Sequence, residues 1–276
     1  MMTYTQAKIP RSPGKVWLIG AGPGDPDLLT IKAARVLRTC TVWLVDDLVS
    51  PEILELADAG TRIVNVGKRG GCPSTSQSFI LRLMASYANQ GHTVARLKGG
   101  DPFIFGRGGE EMEWLNQQGI PVDSVSGITA GLAVGSALGM PLTHRRLARG
   151  VTLVTAHTVD GSRPDWQALA QSGLTIICYM GISQVDTLTA ELQLAGFPSD
   201  LPVAVVQQVT CGGQRHITTT LAELAEDVRR HTMASPSVII LGAVAAHQCK
   251  PGEHPTFADP VDTLASILPL EAVYSH

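Results

Sequence analysis

Leu97-Lys98-Gly99-Gly100-Asp101-Pro102-Phe103-Ile104-Phe105-Gly106-Arg107-Gly108-Gly109-Glu110-Glu111 joins an apolar run, Val94 to Leu97, to a segment of helical character, Glu110 to Gln118. The run predicts a strand, so the glycines fall at a strand end, where α/β proteins bind their ligands. Glycine accepts positive φ and lets backbone approach a ligand closely, and Arg107 offers a planar fork for carboxylates. The plainer alternative is an ordinary glycine-rich connection, since turn glycines are common.

Working outward, Val16 to Ile19, Val42 to Val45, Ile63 to Val66 and Val122 to Val125 are further short apolar or β-branched runs. Helical segments separate them. Ile80, Leu83, Met84 and Tyr87 share one helical stripe with Gly91 as its stop, and Ser50-Pro51-Glu52 has the order N-cap, first-turn proline, early acid. Alternating βα units predict a parallel sheet. The pattern changes after Gly139, where Met140 to Gly150 carries His144, Arg145, Arg146 and Arg149 ahead of a new strand at Val151. Further strands are expected at Thr175 to Tyr179, Val203 to Val206, His216 to Thr219 and Val238 to Leu241. Helices are expected over Ser183 to Ala195 and Leu221 to Arg230, the latter entered through a capping-box spacing of Thr220 and Glu223. The expected organisation is α/β throughout: an N-terminal α/β domain over 15–139, a linker over 140–150, a C-terminal α/β domain over 151–248 and a mostly irregular tail over 249–276.

With 276 residues of which 44% are hydrophobic, the chain can bury a substantial core. No apolar run approaches the roughly 20 residues a membrane span needs, and Met1 to Pro13 lacks the apolar centre of a signal peptide. A cytoplasmic protein without a membrane partner is expected. A net charge of -3 argues against a general nucleic-acid binder, so any anionic partner must be met by local cations. The cysteines Cys40, Cys72, Cys178, Cys211 and Cys249 are odd in number and lack CxxC spacing, so neither a disulfide framework nor a metal site is expected.

Gly20-Ala21-Gly22-Pro23-Gly24-Asp25-Pro26 invites a dinucleotide reading, with Asp46 ending the next strand where a ribose-binding acid would lie. The spacing fails. The third glycine of G-x-G-x-x-G would fall at Asp25, Pro23 and Pro26 remove amides a pyrophosphate would use, and no Walker lysine follows.

Taken with Leu28-Leu29-Thr30, Asp46, Leu48-Val49, Gly67-Lys68-Arg69, the 98–111 segment, Gly127-Ile128-Thr129-Ala130, Pro141-Leu142-Thr143-His144-Arg145 and Tyr179-Met180-Gly181, this turn resembles the tetrapyrrole methylase family. The likeness runs across nearly the whole chain up to about Thr256, and the GGDPFIFGRGGEE segment favours the uroporphyrinogen branch. The resemblance implies two α/β domains with the ligand cleft between them, S-adenosylmethionine as methyl donor with S-adenosylhomocysteine as its product, and a homodimer. It implies uroporphyrinogen III as substrate, methylated at two ring carbons to give precorrin-2, from which siroheme, cobalamin and heme d1 routes start.

Carried over residue by residue, the resemblance assigns Pro23, Gly99, Gly100, Asp101, Ile104, Thr129, Ala130, Met180 and Val209 to the cofactor. It gives Asp46 and Lys68 acid-base roles. The substrate is a polycarboxylate, for which Arg69, Arg107, Arg145 and Arg146 are the expected cations, Arg107 first among them. Glu110 either orients Arg107 or meets a pyrrole NH, the plainer alternative being a helix N-terminal acid. Outside the resemblance, Ile104, Met180 and Val209 read equally as core, Asp46 as a loop or helix-start acid and Lys68 as a surface lysine.

The chain departs from the family pattern at Ser126, where proline is frequent, at Ala156, where glycine is usual, and at Val209 with Cys211-Gly212-Gly213. The first two bear on loop geometry, and the last puts the adenine end of the cofactor site in question. Two other functions remain open at this level: a methylase of the same fold acting on another tetrapyrrole, and a non-catalytic sensor of S-adenosylmethionine.

Overall fold

The computed structural model describes residues 14–67, 75–156 and 161–247. Lys68, Arg69, Cys72 and the tail expected over 249–276 lie outside the described residues. The chain divides into two units, the first comprising residues up to 21 and 29–127, the second 22–28 and 128 onward.

The first unit is built on a five-stranded sheet. β1 (Val16–Gly20), β2 (Val42–Val45), β3 (Arg62–Asn65), β4 (Val94–Lys98) and β5 (Val122–Val125) fall on the apolar runs and take the order β3-β2-β4-β1-β5, every neighbour parallel. Helices α1 (Ile31–Leu37), α2 (Pro51–Leu54), α3 (Gln77–Asn89) and α4 (Gly108–Gln117) connect them. Side-chain alternation divides each strand between two cores. Trp43, Val45, Ala95 and Leu97 pack with α1, whereas Val42, Leu44 and Val94 pack with Ile80 and Met84 of α3 and Leu115 of α4. Thr30 and Ser76 start α1 and α3 by accepting from Ala33 N and Phe79 N. Ser50 occupies the N-cap position of α2 but bonds Glu52 in place of a backbone amide.

β4 lies between β1 and β2. The chain leaves β1 and β2 toward the β3 edge and leaves β4 toward the β5 edge, which makes the exits of β1, β2 and β4 a topological switch point.

The second unit contains α5 (Ala130–Leu138), β6 (Val151–Thr155), α6 (Trp166–Gln171), β7 (Thr175–Tyr179), α7 (Val185–Leu194), β8 (Pro202–Gln207), β9 (Arg215–Thr220), α8 (Leu224–Arg230) and β10 (Ser237–Leu241). Its sheet, β6-β7-β10-β8-β9, is mixed: only β6 and β7 are parallel.

Two sequence expectations shift. The division falls after Gly127, ahead of the expected 140–150 linker, because Ala133, Val134 and Leu138 of α5 bury against Ile177, Ala204 and Ile240 of the second sheet. Helix α8 starts at Leu224 with Glu223 at the cap position, where Thr220 Oγ1 donates to Glu223 Oε2 at 3.5 Å in place of the reciprocal backbone bonds of a capping box, and Leu221 is drawn wholly into the core ahead of it.

Candidate active site

At the switch point of the first unit three glycines meet. A Cβ on Gly127 would lie 2.2 Å from the Gly100 carbonyl oxygen, and one on Gly20 2.6 Å from the same atom, so only hydrogen fits at either position. Asp101 fastens this crossing by accepting from Gly127 N at 3.0 Å and from Phe103 N at 2.8 Å. Its carboxylate is therefore committed to the backbone. The loop above it presents Phe103, Ile104 and Phe105 to solvent, and Phe105 and Arg107 both adopt left-handed backbone, at φ 53° and 58°.

Arg107 caps the start of α4 and forks onto Glu110 one turn later, its Nε donating to Oε1 at 3.0 Å and its Nη2 to Oε2 at 2.5 Å. Both side chains are more than half exposed, at 51% and 57%. Their hydrogen bond raises the proton affinity of Arg107 and holds Glu110 below the usual carboxylate range. The fork is charged and open to solvent.

Beneath the loop lies a charged cluster that the sequence reading did not single out. Glu111 is fully buried, and its Oε1 accepts from Gln77 Nε2 at 2.9 Å and from Arg96 Nε and Lys98 Nζ at 3.3 Å each. Glu111 Oε2 makes no hydrogen bond but stands 3.3 Å from Lys98 Nζ. Burial, followed by the Arg96 charge, lowers the proton affinity of Lys98, with Glu111 and Asp46 opposing. Asp46, just past β2, places Oδ2 3.9 Å from Arg96 Nη2 and remains partly open to solvent. The available signal was two charged residues, Arg96 and Lys98, at alternate positions of an otherwise apolar run. Such a pattern puts both on one face.

In the second unit the 22–28 segment docks on the 208–214 loop. Thr210 Oγ1 accepts from Asp25 N at 3.1 Å, Cys211 Sγ donates to the Pro23 carbonyl at 3.9 Å, and a Cβ on Gly24 would lie 2.4 Å from that sulfur. Val209 is buried beside them. Tyr179 OH, at the exit of β7, bonds Thr129 Oγ1 and accepts from Gly131 N, both at 2.7 Å, and so caps α5, of which Ala130 is the first residue. Burial pushes its phenol pKa up, and these two hydrogen bonds oppose the rise. Met180 follows, exposed and left-handed at φ 57°.

Arg145 and Arg146 stand apart from that group. With Leu147, Ala148, Arg149, Ser172 and Gly173 they line a pocket of about 310 Å³ at the entry to β7, whereas Tyr179 and Met180 mark its exit. The buried thiols of Cys40 and Cys178 are pushed up to about 12 by desolvation and act as packing groups. Among the described residues no group of three or more His, Cys, Asp or Glu side chains could hold a metal ion, and no helix is long and apolar enough to cross a membrane.

Among the described residues, the exit of β4 thus gathers glycine backbone, exposed apolar side chains and the charged Arg107–Glu110 fork. Residues 15–225 match the model of the Tetrapyrrole (Corrin/Porphyrin) Methylases, and the chain belongs to this family. It is 54% identical over 231 residues to the uroporphyrinogen-III C-methyltransferase of Pseudomonas aeruginosa, covering 84% of this chain and 94% of that protein. It is 47% identical over 232 residues to the siroheme synthase of Pseudomonas entomophila, of which it spans half the length. Among solved structures, uroporphyrin-III C-methyl transferase from Thermus thermophilus complexed with S-adenyl homocysteine superposes with a TM-score of 0.74 at 38% identity, over 85% of this chain and all of that one.

Proposed function

We propose that this protein transfers methyl groups from S-adenosylmethionine to two ring carbons of uroporphyrinogen III, giving precorrin-2. The observation that carries this reading is the glycine crossing at the exit of β4 with the open Arg107–Glu110 fork mounted directly after it. The 54% identity to a uroporphyrinogen-III C-methyltransferase supports it.

The cofactor supplies an electrophilic methyl group, and the chain offers what such a ligand needs. Gly99, Gly100, Asp101 and Ile104 in the first unit, and Pro23, Thr129, Ala130, Met180 and Val209 in the second, are proposed as its contacts. Several of these positions present backbone or exposed apolar surface, and none is a lysine that would repel a sulfonium. At Val209 and Cys211, where the chain departs from the family pattern, the Cys211 sulfur fills the place a side chain on Gly24 would take.

A reduced pyrrole β-carbon is enamine-like, so alignment is the main demand on the protein. Arg107, oriented by Glu110, is proposed to grip a substrate carboxylate through the open side of its guanidinium, and a pyrrole NH within reach would find the Glu110 carboxylate. Arg145 and Arg146 share a pocket at the other end of β7 and rank after Arg107 as carboxylate partners, as does Arg69. Neutrality is restored when the macrocycle loses a proton, and we assign its acceptance to Asp46, which is partly open to solvent and backed by Arg96. Lys68 is proposed as the second acid-base group on the resemblance.

The same reading includes a homodimer, as the resemblance implies, and a cytoplasmic location, as the sequence leads one to expect. Light scattering that returns the mass of a single chain overturns the dimer. The test of function is anaerobic incubation with uroporphyrinogen III and methyl-labelled cofactor, followed by mass spectrometry. A doubly labelled macrocycle is expected. Binding of both ligands without labelled product overturns catalysis in favour of a sensor, and turnover confined to a different tetrapyrrole overturns the substrate.

A further inference from the structure

Alternation along β2 and β4 sends Leu44 and Val94 into the core under α3 and α4, and the same alternation brings Asp46, Arg96 and Lys98 to that side of the sheet. Glu111 descends from α4 and Gln77 from α3 to meet them. A single arginine then stands between two carboxylates, with Nε 3.3 Å from Glu111 and Nη2 3.9 Å from Asp46. Lys98 touches only the first of these, at 3.3 Å from each Glu111 oxygen. Its stem runs under the loop, where a Cβ on Gly106 would come within 3.2 Å of Cε.

The charges of Asp46, Glu111, Arg96 and Lys98 cancel when all are ionised. Charged neighbours of these residues along the described chain include Asp47, Arg107 and Glu110. Asp47 packs its carboxylate where a side chain on Gly67 would lie, and Arg107 and Glu110 at the start of α4 neutralise each other. Gln77 brings no charge.

We propose that Lys98 and Glu111 are positioning residues for proton transfer at Asp46: Lys98 shares the charge of Glu111 with Arg96, so that Arg96, whose Nε bonds Glu111, keeps its Nη2 toward Asp46. The inference rests on Asp46 being the proton acceptor. Without Lys98 a fully buried carboxylate claims the arginine, because an uncompensated buried charge is far less tolerable than a partly solvated one. Arginine itself cannot give up its proton, so the balance is held by the lysine. The lowered proton affinity of Lys98 agrees with a crowded, desolvated cation that Glu111 keeps charged.

The test is the pH dependence of kcat/KM in the anaerobic assay. An acceptor must be ionised, so activity falls as pH drops through its pKa, and removing a nearby cation raises that pKa. Lys98→Met is expected to move the acid limb up, because Arg96 is then drawn to Glu111 and away from Asp46. Glu111→Gln is expected to move it down, because Lys98 and Arg96 then both act on Asp46. The double variant, balanced again, is expected to return the limb to within a few tenths of a unit of the wild type. A merely structural role lowers turnover in both single variants but moves the limb in neither, and that result overturns the inference, as does movement in the same direction.

Should Lys98→Met fail to fold, Lys98→Arg is expected to leave the limb in place while Glu111→Gln still moves it down. An unmoved limb in Glu111→Gln then overturns the inference. Asp46→Asn separates the two layers. If it keeps wild-type turnover and the acid limb, the assignment of Asp46 fails and this inference with it. If it removes the limb while the Lys98 and Glu111 variants keep it, only the present inference fails.

Discussion

Arg107 combines left-handed backbone at φ 58° with a half-exposed side chain that, among the described residues, bonds Glu110, an arrangement that does little for stability. A non-glycine residue in that region costs roughly 1–2 kcal/mol, and such strain tends to collect where function requires it. Arg107→Leu is therefore expected to keep the fold and S-adenosylhomocysteine affinity within a few-fold while turnover falls at least about 100-fold, within the roughly 2–5 kcal/mol range for removing a hydrogen-bonded charge partner. Arg107→Lys should recover only part, having no bidentate fork. Steady-state kinetics beside calorimetric titration checks both, and near-wild-type turnover in Arg107→Leu would return this residue to a loop role. Arg107 and Glu110 are legible in the sequence because they stand in a glycine-rich loop with few other uses. Arg96 and Glu111 are not. In one dimension Arg96 interrupts a strand and Glu111 looks like one more acid in a helix's first turn, and only the packing of α3 and α4 makes them a buried pair.

At the scale of elements, the loops after β1, β4 and β5 are held by backbone crossing backbone, which flexible side chains cannot relieve. Gly127→Ala forces a methyl to 2.2 Å from the Gly100 carbonyl, and overpacking of this kind costs about 1–3 kcal/mol or more. A fall of that size in urea-unfolding stability is expected. Gly109→Ala is the opposite case: it lies inside α4 with nothing near its would-be Cβ, so a gain of roughly 0.5–1 kcal/mol is expected from helix propensity. If both variants unfold at the same urea concentration, the crossing is not as tight as the geometry makes it. The capping-box spacing of Thr220 and Glu223 shows the limit of local signals. It marks a helix start correctly to within a turn, but burial of Leu221 decides where the first turn forms.

At the scale of the whole molecule, the chain lacks amides where a pyrophosphate would need them, at Pro23 and Pro26, and has no lysine-bearing phosphate loop. S-adenosylhomocysteine should raise the melting temperature, since a ligand at 100 times its Kd adds about 2.7 kcal/mol to the native state. NAD and ATP at the same concentration should leave it unmoved. Equal stabilisation by NAD in a thermal-shift assay would revive the dinucleotide reading despite the spacing.

The sequence alone determined the strands of the first sheet, the loop that follows β4 and the family to which the chain belongs, because periodicity, turn glycines and motif residues are properties of neighbouring positions. Tertiary structure decided the rest. It moved α5 and the 22–28 segment into the second unit, paired most of that unit's strands antiparallel, and gathered Asp46, Arg96, Lys98 and Glu111 on one face of the first sheet. Each of these depends on which apolar faces bury together across long stretches of chain, and a charge becomes a buried charge only when a helix closes over it.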